Sequence, residues 1–217
     1  MNLSNSLSYG HPLFNPDSGG HALPDDPREI DAVLRATELC FDAHPYFPQR
    51  FGDRGRLFAN SDGGYLVSLT SAWQSYVNEQ VLWLAQVLSA RGMPSWLMEV
   101  HLLFLHAELR KRVPDGSLRF AKLRRAASRL RALRQARMAQ QDFDAVAAEF
   151  GATSGPGIDN AGCLLAAAVC DERGGSTEAV PSLLKWLGDP GRFSPQWCSA
   201  VNLAIAQARS TALPAPP

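Results

Sequence analysis

Two histidines, His101 and His106, lie in the most apolar stretch of the chain, where an imidazole needs a hydrogen-bond partner or a ligand. Because they are five residues apart, a helix points them about 140° away from each other. They therefore cannot form the i, i+4 pair that binds a metal ion, and we favour histidines with partners in or near the core. The alternative is a haem-like tetrapyrrole site with one histidine as axial ligand. Its candidate ligand-binding residues are the two histidines and four aromatic side chains: His101, His106, Tyr65, Trp83, Trp96 and Phe104.

Other familiar site chemistry has no local signature in this sequence. The four cysteines, Cys40, Cys163, Cys170 and Cys198, are scattered and form no CxxC motif, which favours a reducing cytoplasm over a disulfide framework. The motifs GxGxxG, GxxxxGKS/T, HExxH and GxSxG and the EF-hand loop do not occur. We therefore expect no catalytic residue and no metal site, and a protein that is not an enzyme.

A concentration of bases in the second half of the chain is the other chemical feature. Between Arg110 and Arg137 lie nine arginines and two lysines against the single acid Asp115. On one helix face an apolar stripe accompanies them: Phe120, Leu123, Ala127, Leu130 and Leu133. The basic face is suited to nucleic-acid phosphate, to anionic lipid, or to acids of a partner or of this chain itself. The candidate anion-binding residues are Arg119, Lys122, Arg124, Arg125 and Arg131.

The elements that would position these residues are all helical in their spacing. Asp26 followed by Pro27 and Glu29 predicts a capped helix start, with Glu29 in a capping box, and Pro45 predicts its end near Ala43. HPYFPQRFG is expected to form a turn or a one-turn helix, and Asn60-Ser61-Asp62 to cap a new helix containing Gly63 and Gly64. We expect Arg50, Arg54 and Arg56 to order this turn through carboxylates such as Asp53 or Asp62.

The remaining periodicity predicts further helices and no sheet. Helices are expected over 75–91, ended by Gly92, over 96–113 as a buried central helix, and from Ser117 to about Met138. A short helix to Phe150, the glycine-rich loop 151–157 and helices near 160–173, 177–187 and 195–209 follow. The fold class is all-α, a globin-like or orthogonal helical bundle of about eight helices with a C-terminal helical extension. The predicted domains are a disordered arm (1–24), a bundle core (25–140), a C-terminal helical subdomain (141–210) and a tail (211–217).

The overall composition limits the class of function. The 217 residues are 46% hydrophobic, and 21 Lys and Arg balance 21 Asp and Glu, so the chain is no generally basic nucleic-acid coat. The first residues lack the pattern of a secretory signal, and no run approaches the roughly 18 apolar residues of a membrane span. We expect a globular, cytoplasmic protein.

Residues 42 to 99 resemble a bacterial globin-like helical sensor domain, of the kind that precedes cobalamin-binding domains in regulatory proteins. The matching residues are His44-Pro45, Arg50, Phe51-Gly52, Arg54-Gly55-Arg56, Asp62, Tyr65-Leu66, Trp83, Leu88, Arg91-Gly92 and Pro94. The resemblance implies a regulatory or sensing module rather than a catalyst. In that family a separate α/β domain binds the corrin through a DxHxxG motif, and here Phe47 stands where the motif following Asp42 and His44 requires glycine. Cobalamin binding therefore does not carry over.

These observations favour a non-enzymatic helical sensor or adaptor that acts through protein contacts, including a homodimer formed by its amphipathic helices. Two alternatives stay open at this point. One is a tetrapyrrole-binding protein, and the other is an anion- or nucleic-acid-binding protein that uses the basic helix 117–137.

Overall fold

A computed structural model describes residues 13–15 and 23–213 of the chain. All regular structure in these residues is helical, which confirms the all-α class. The helices are α1 (Pro27–Ala43), α2 (Tyr46–Leu69), α3 (Gln74–Ser89), α4 (Ser95–Arg112), α5 (Ser117–Gln135), α6 (Gln140–Thr153), α7 (Ala161–Arg173), α8 (Ala179–Leu187) and α9 (Pro195–Thr211), with one turn of 3₁₀ helix at Pro114–Gly116. Within the same residues, none of these helices has the length and apolar character required to cross a bilayer.

The chain divides into two compact units. Unit 1 comprises Met1–Glu79 and Val100–Ala126, and unit 2 comprises Gln80–Glu99 and Ala127–Pro217. This division passes through α3, α4 and α5, whereas the sequence suggested a change near residue 140 because the glycine-rich loop follows there. Each unit is described by itself below.

In unit 1, α1 begins at the predicted residue, but Glu29 in its first turn makes a different contact from the one predicted. Asp26 is the N-cap, and its carboxylate accepts a hydrogen bond of 2.9 Å from the backbone N–H of Arg28. Glu29 does not form the predicted capping box, because its buried carboxylate pairs with the guanidinium of Arg119 on α5. A long-range ion pair has replaced a local cap at this position.

The prediction of a separate helix capped at residues 60–62 is wrong. α2 consists of two helical segments on either side of Gly52, whose φ of 57° is in the left-handed region, and the second segment continues through residues 60–62 to Leu69. The polar side chains serve tertiary contacts: Asn60 donates to the carbonyl of Leu13 at 2.7 Å, and the hydroxyl of Ser61 accepts from the backbone N–H of Asn15 at 2.8 Å. The part of the predicted arm that the structure describes at 13–15 therefore packs on α2, and the rest lies outside the described residues except for 23 and 24.

The two glycines in the middle of α2 permit close packing. A Cβ at Gly63 would come within 2.8 Å of Cγ1 of Val33 on α1, and one at Gly64 within 2.7 Å of Cδ2 of Leu23. Since these approaches are closer than van der Waals contact allows, a larger residue at either position would require the neighbouring side chain to move. This packing offsets the helix-propensity cost of about 1 kcal/mol for each glycine.

The three arginines of the α2 motif lie over aromatic rings, a contact that the sequence reasoning did not anticipate. The guanidinium carbon of Arg56 is 4.7 Å from the centre of the Phe41 ring, and that of Arg54 is 5.6 Å from the Phe58 ring. Arg50 lies over two rings, those of Tyr46 and Phe51. Cation–π contact therefore orders this segment of unit 1.

Unit 2 is built on the alanine-rich helix α7, which packs against α6, α8 and α9. Nine residues of α7 are buried, and most of them are small, so neighbouring helices can approach closely. Trp197 on α9 anchors the packing: its ring stacks on Phe193 and its indole N–H donates to the carbonyl of Leu187 at 2.8 Å. The helices predicted over this region are confirmed with shifted ends, since α6 extends to Thr153 into the expected loop.

Candidate functional site

The first turns of α5 are fixed to the turn between α2 and α3, and this junction lies wholly in unit 1. The ammonium group of Lys122 donates to the carbonyls of Thr70 and Ala72 at 2.8 and 2.6 Å. The side chain of Gln74 donates in return to the carbonyl of Lys122 at 3.1 Å. Lys122 therefore donates hydrogen bonds to carbonyls at the end of α2 that accept none within that helix. With the hydrogen bond from Gln74, both elements of the junction donate to each other.

Two large apolar side chains at this junction are almost fully exposed. Trp73, between Ala72 and Gln74, exposes 86% of its surface, and Leu118, one turn before Lys122, exposes 91%. Tyr76 in the first turn of α3 is a third exposed ring, at 47%. Single exposed leucines are ordinary, but an exposed tryptophan beside further apolar side chains is typical of an interaction site. We call Trp73, Tyr76 and Leu118 the apolar face of unit 1.

The α4–α5 segment of unit 1, which carries Leu118, has an excess of bases, whereas residues 1–79, which carry Trp73 and Tyr76, have five bases and ten acids. Between residues 100 and 126 of unit 1 there are seven Lys and Arg against the two acids Glu108 and Asp115. Glu108 pairs with Arg112, and Asp115 with Arg28, so both acids are already neutralised. Arg125, on the same side of α5 as Leu118 and Lys122 by helical spacing, is exposed.

The predicted anion-binding residues divide between internal contacts and the surface. Arg119 pairs with Glu29, Lys122 holds the α2–α3 turn, and Arg131 in unit 2 pairs with Glu99, its Nε lying 2.7 Å from the carboxylate. Arg124 and Arg125 are exposed. Two of the five bases, Arg119 and Arg131, thus pair with acids of this chain, and Lys122 binds backbone carbonyls.

His101 is buried without a hydrogen-bond partner at Nε2 among the described residues. This nitrogen lies 3.6 Å from the position of a Cβ on Gly63, beside the Val33 side chain. Burial lowers the pKa of His101 to about 4, so the ring is neutral at pH 7. Nε2 thus faces packed backbone and an aliphatic side chain.

The other candidate ligand residues do not share one unit. His106, Tyr65 and Phe104 belong with His101 to unit 1, whereas Trp83 and Trp96 belong to unit 2. The pKa of His106 is lowered first by burial and then by the positive charges of Arg110 and Arg124. The pKa of Tyr65 is raised first by burial and then by Tyr76. Trp96 contacts the ring of Phe143, and Trp83 is half exposed.

The described residues contain no group of three His, Cys, Asp or Glu side chains placed to hold a metal ion. The four cysteines are free thiols. Burial raises the pKa of both Cys40 and Cys170 to about 12, so neither thiol is an activated nucleophile at neutral pH.

Sequence reasoning did not single out the apolar face of unit 1. Trp73 continues the i, i+4 spacing of Val77 and Val81, which predicts burial, but α3 begins at Gln74 and Trp73 lies outside the helix. For Leu118 the sequence did indicate exposure, because this apolar residue lies outside the apolar stripe that starts at Phe120.

Comparisons of this chain with models of known protein families, with curated proteins and with solved structures find no match. The resemblance of residues 42–99 to globin-like sensor domains therefore stays a prediction from sequence motifs.

Proposed function

We propose that this chain is a non-catalytic helical adaptor, and that the apolar face of unit 1 binds an acidic, amphipathic segment of a partner protein. The observation that carries the proposal is the near-complete exposure of Trp73 and Leu118 at a rigidly held junction. Four free thiols support a reducing, cytoplasmic setting for this activity.

The apolar side chains supply the anchors. Tryptophan and tyrosine are enriched among the residues that contribute most to protein–protein binding, because they bury large areas at low cost in side-chain entropy. Hydrogen bonds from Lys122 and Gln74 fix the backbone on both sides of Trp73, so little backbone conformational entropy is lost when a partner binds.

The charge of the segment that carries Leu118 selects the class of partner. The bases of residues 100–126 exceed the acids by five, and Arg125 extends this charge along the side of α5 that carries Leu118. A partner with carboxylates around two or three apolar anchors complements both features, and attraction between opposite charges would speed its association.

A protein partner fits this surface better than nucleic acid does. Phosphate binding depends on many bases that are free to neutralise it, and Arg119, Lys122 and Arg112 are engaged inside unit 1. The exposed side chains of Leu118 and Tyr76 pack favourably against apolar side chains of a protein partner.

The proposal is tested by selecting binders from a displayed library of helical peptides against the purified full chain. We expect selected sequences rich in Asp and Glu with Leu, Phe or Trp at i, i+3 or i, i+4 spacing. The double variant Trp73→Ser, Leu118→Ser should lose about a hundredfold in affinity for them, since each anchor contributes about 1.4 kcal/mol at a binding centre. Leu203→Ser, a change at an exposed leucine of unit 2, is the matched control and should bind normally.

Other results decide against the proposal. Selection that yields no acidic consensus, or binding that survives the double substitution, contradicts it. A labelled 20-nucleotide RNA or DNA that binds tightly, weakens steeply with salt and is released by Arg124→Glu, Arg125→Glu would favour the nucleic-acid alternative. A dimer that is lost in the Trp73, Leu118 double variant would instead identify a second copy of the chain as the occupant.

A further inference from the structure

A cavity of about 150 Å³ lies within unit 2. Its residues come from α3, α5 and α7, from the first residue of α4 and from the turns after α5 and α7. The apolar lining residues, called here the leucine side, are Leu82, Ala85, Leu130 and Leu133, and the polar lining residues, called the polar side, are Gln86, Ser89, Ser95, Arg134, Arg137, Asp171 and Ser176. A cavity of this volume accepts a ligand of benzene size, with about six non-hydrogen atoms.

The carboxylate of Asp171 is a fixed part of the polar side. It accepts hydrogen bonds from both the backbone N–H of Ser95, at 2.8 Å, and the Ser95 hydroxyl. Burial raises the pKa of Asp171 to about 6, against the lowering effect of the Ser95 hydrogen bonds and of Arg134. Its two oxygens are thus committed to the start of α4, and the neighbouring Cys170 thiol is neutral.

Arg137 differs from the other arginines of this region. Arg131 and Arg134 both pair with Glu99, and Arg134 also lies over the Phe143 ring. Arg137 lines the cavity and is half-buried, and its guanidinium has no carboxylate partner among the described residues. A partly desolvated guanidinium with unused N–H donors is suited to a bidentate carboxylate.

The lining of the cavity holds two guanidinium groups, those of Arg134 and Arg137, and the carboxylate of Asp171. Arg134 is paired with Glu99, and Asp171 accepts hydrogen bonds from Ser95, so Arg137 is the cation of this lining that is available to an anionic group of a ligand. A hydrocarbon part of the same ligand fits the leucine side.

We propose that this cavity binds a small monocarboxylate of about six non-hydrogen atoms, with the carboxylate on Arg137 and the hydrocarbon against Leu82, Leu130 and Leu133. The site lies wholly in unit 2 and is independent of the apolar face of unit 1. Its ligand is defined by size and charge: a short alkanoate or a molecule of that class.

The test is titration of the purified full chain with acetate, propionate, butyrate and octanoate, followed by calorimetry or ligand-observed NMR. Affinity should rise about fourfold for each methylene added up to butyrate, because each is buried against the leucine side. It should stop rising beyond the length that fills the cavity. Butyramide, which has nearly the shape of butyrate without its charge, should bind at least about tenfold more weakly.

Variants locate the binding within the cavity. Arg137→Gln should weaken butyrate binding at least about tenfold. Arg129→Gln, a change at an exposed arginine of α5 that does not line the cavity, should leave butyrate binding unchanged. Ala85→Leu, which fills the cavity with the added side chain, should abolish binding and provides a second variant if Arg137→Gln is poorly folded.

The proposal is overturned if none of the alkanoates binds, or if butyrate binds equally to the wild-type chain and to the Ala85→Leu variant. It is also overturned if inorganic phosphate binds as tightly as butyrate, because the leucine side would then contribute nothing.

Discussion

Each unit contains a buried titratable group, and the surroundings of the two groups differ. In unit 1, the buried His101 ring has an Nε2 without a hydrogen-bond partner among the described residues, and its surroundings at Gly63 and Val33 are apolar. In unit 2, Asp171 receives two hydrogen bonds from Ser95 and faces a cavity. The surroundings of His101 Nε2 are thus apolar, while those of Asp171 include hydrogen-bond donors and a cavity. Unit 1 instead carries its candidate interaction surface on the outside, at Trp73 and Leu118.

The largest effect is expected from breaking the ion pairs of unit 2. Glu99→Gln leaves the buried guanidinium of Arg134 without its carboxylate, and removal of one partner of a buried pair costs about 3–5 kcal/mol of unfolding free energy. Urea denaturation measures the loss. The matched control is Glu172→Gln, which removes the partner of the half-exposed Arg209 and should cost less than about 1 kcal/mol. If the two variants lost equal free energies of unfolding, the buried Arg134–Glu99 pair would be no more important for stability than the more exposed Arg209–Glu172 pair.

The second effect is the pH dependence of His101. Its pKa of about 4 in the fold lies below the unfolded value of 6.5, so the unfolded state binds the proton more tightly. Stability from this group is complete above pH 6.5 and falls as pH drops toward 4, by about 3 kcal/mol. His101→Gln should therefore remove an acid-destabilising contribution, measured as unfolding free energy at pH 7, 6, 5 and 4. An unchanged pH profile would mean that His101 has a normal pKa.

The third effect is the pH dependence of stability that Asp171 contributes, and its sign is opposite to that of His101. The pKa of Asp171 is about 6 in the fold against 3.8 for the ordinary carboxyl, so the folded state binds the proton more tightly. Acidification from pH 6 toward 4 should therefore add stability from this group, by up to about 3 kcal/mol. Asp171→Asn, which keeps the shape and a carbonyl acceptor for Ser95, should steepen the loss of stability on acidification. A steeper profile for Asp171→Asn and a shallower one for His101→Gln would sharpen the contrast between the units, and identical profiles would remove it.

The smallest effects concern the helix glycines. Gly63→Ala should lower the free energy of unfolding by about 1–3 kcal/mol, because the added Cβ meets Val33 at 2.8 Å. Gly151→Ala in α6 has open space around the new Cβ and should raise stability by about 0.5–1 kcal/mol through helix propensity. Thermal unfolding of the two variants compares them directly, and a stabilised Gly63→Ala would contradict the close packing of α1 on α2.

The helices could be predicted from the sequence because caps and periodicity are local. Asp26 and Pro27 start α1, and Gly92 has the left-handed φ of 81° expected after α3. The failures share one cause, since capping residues also make tertiary contacts. Asn60 and Ser61 bind residues 13–15, and Glu29 binds Arg119, 90 positions away.

The candidate sites were less predictable than the fold. Asp171 and Ser95 are 76 positions apart, so no local spacing joins them. The burial of Leu102, Leu105 and Leu109 confirms the predicted character of α4 within unit 1, but the exposure of Trp73 depends on the residue at which α3 begins. The basic helix was recognised from composition, whereas the internal partners of Arg119, Lys122 and Arg131 required coordinates.

The most direct test of the adaptor function is an NMR titration of the full chain, labelled at its leucine methyl groups, with an acidic amphipathic peptide obtained by selection. The exposed leucines Leu118 and Leu203 provide a probe in unit 1 and a reference in unit 2. The methyl signals of Leu118 should shift in proportion to occupancy, while those of Leu203 stay in place. Shifts at Leu203 with none at Leu118 would contradict the assignment of the apolar face of unit 1 as the binding surface.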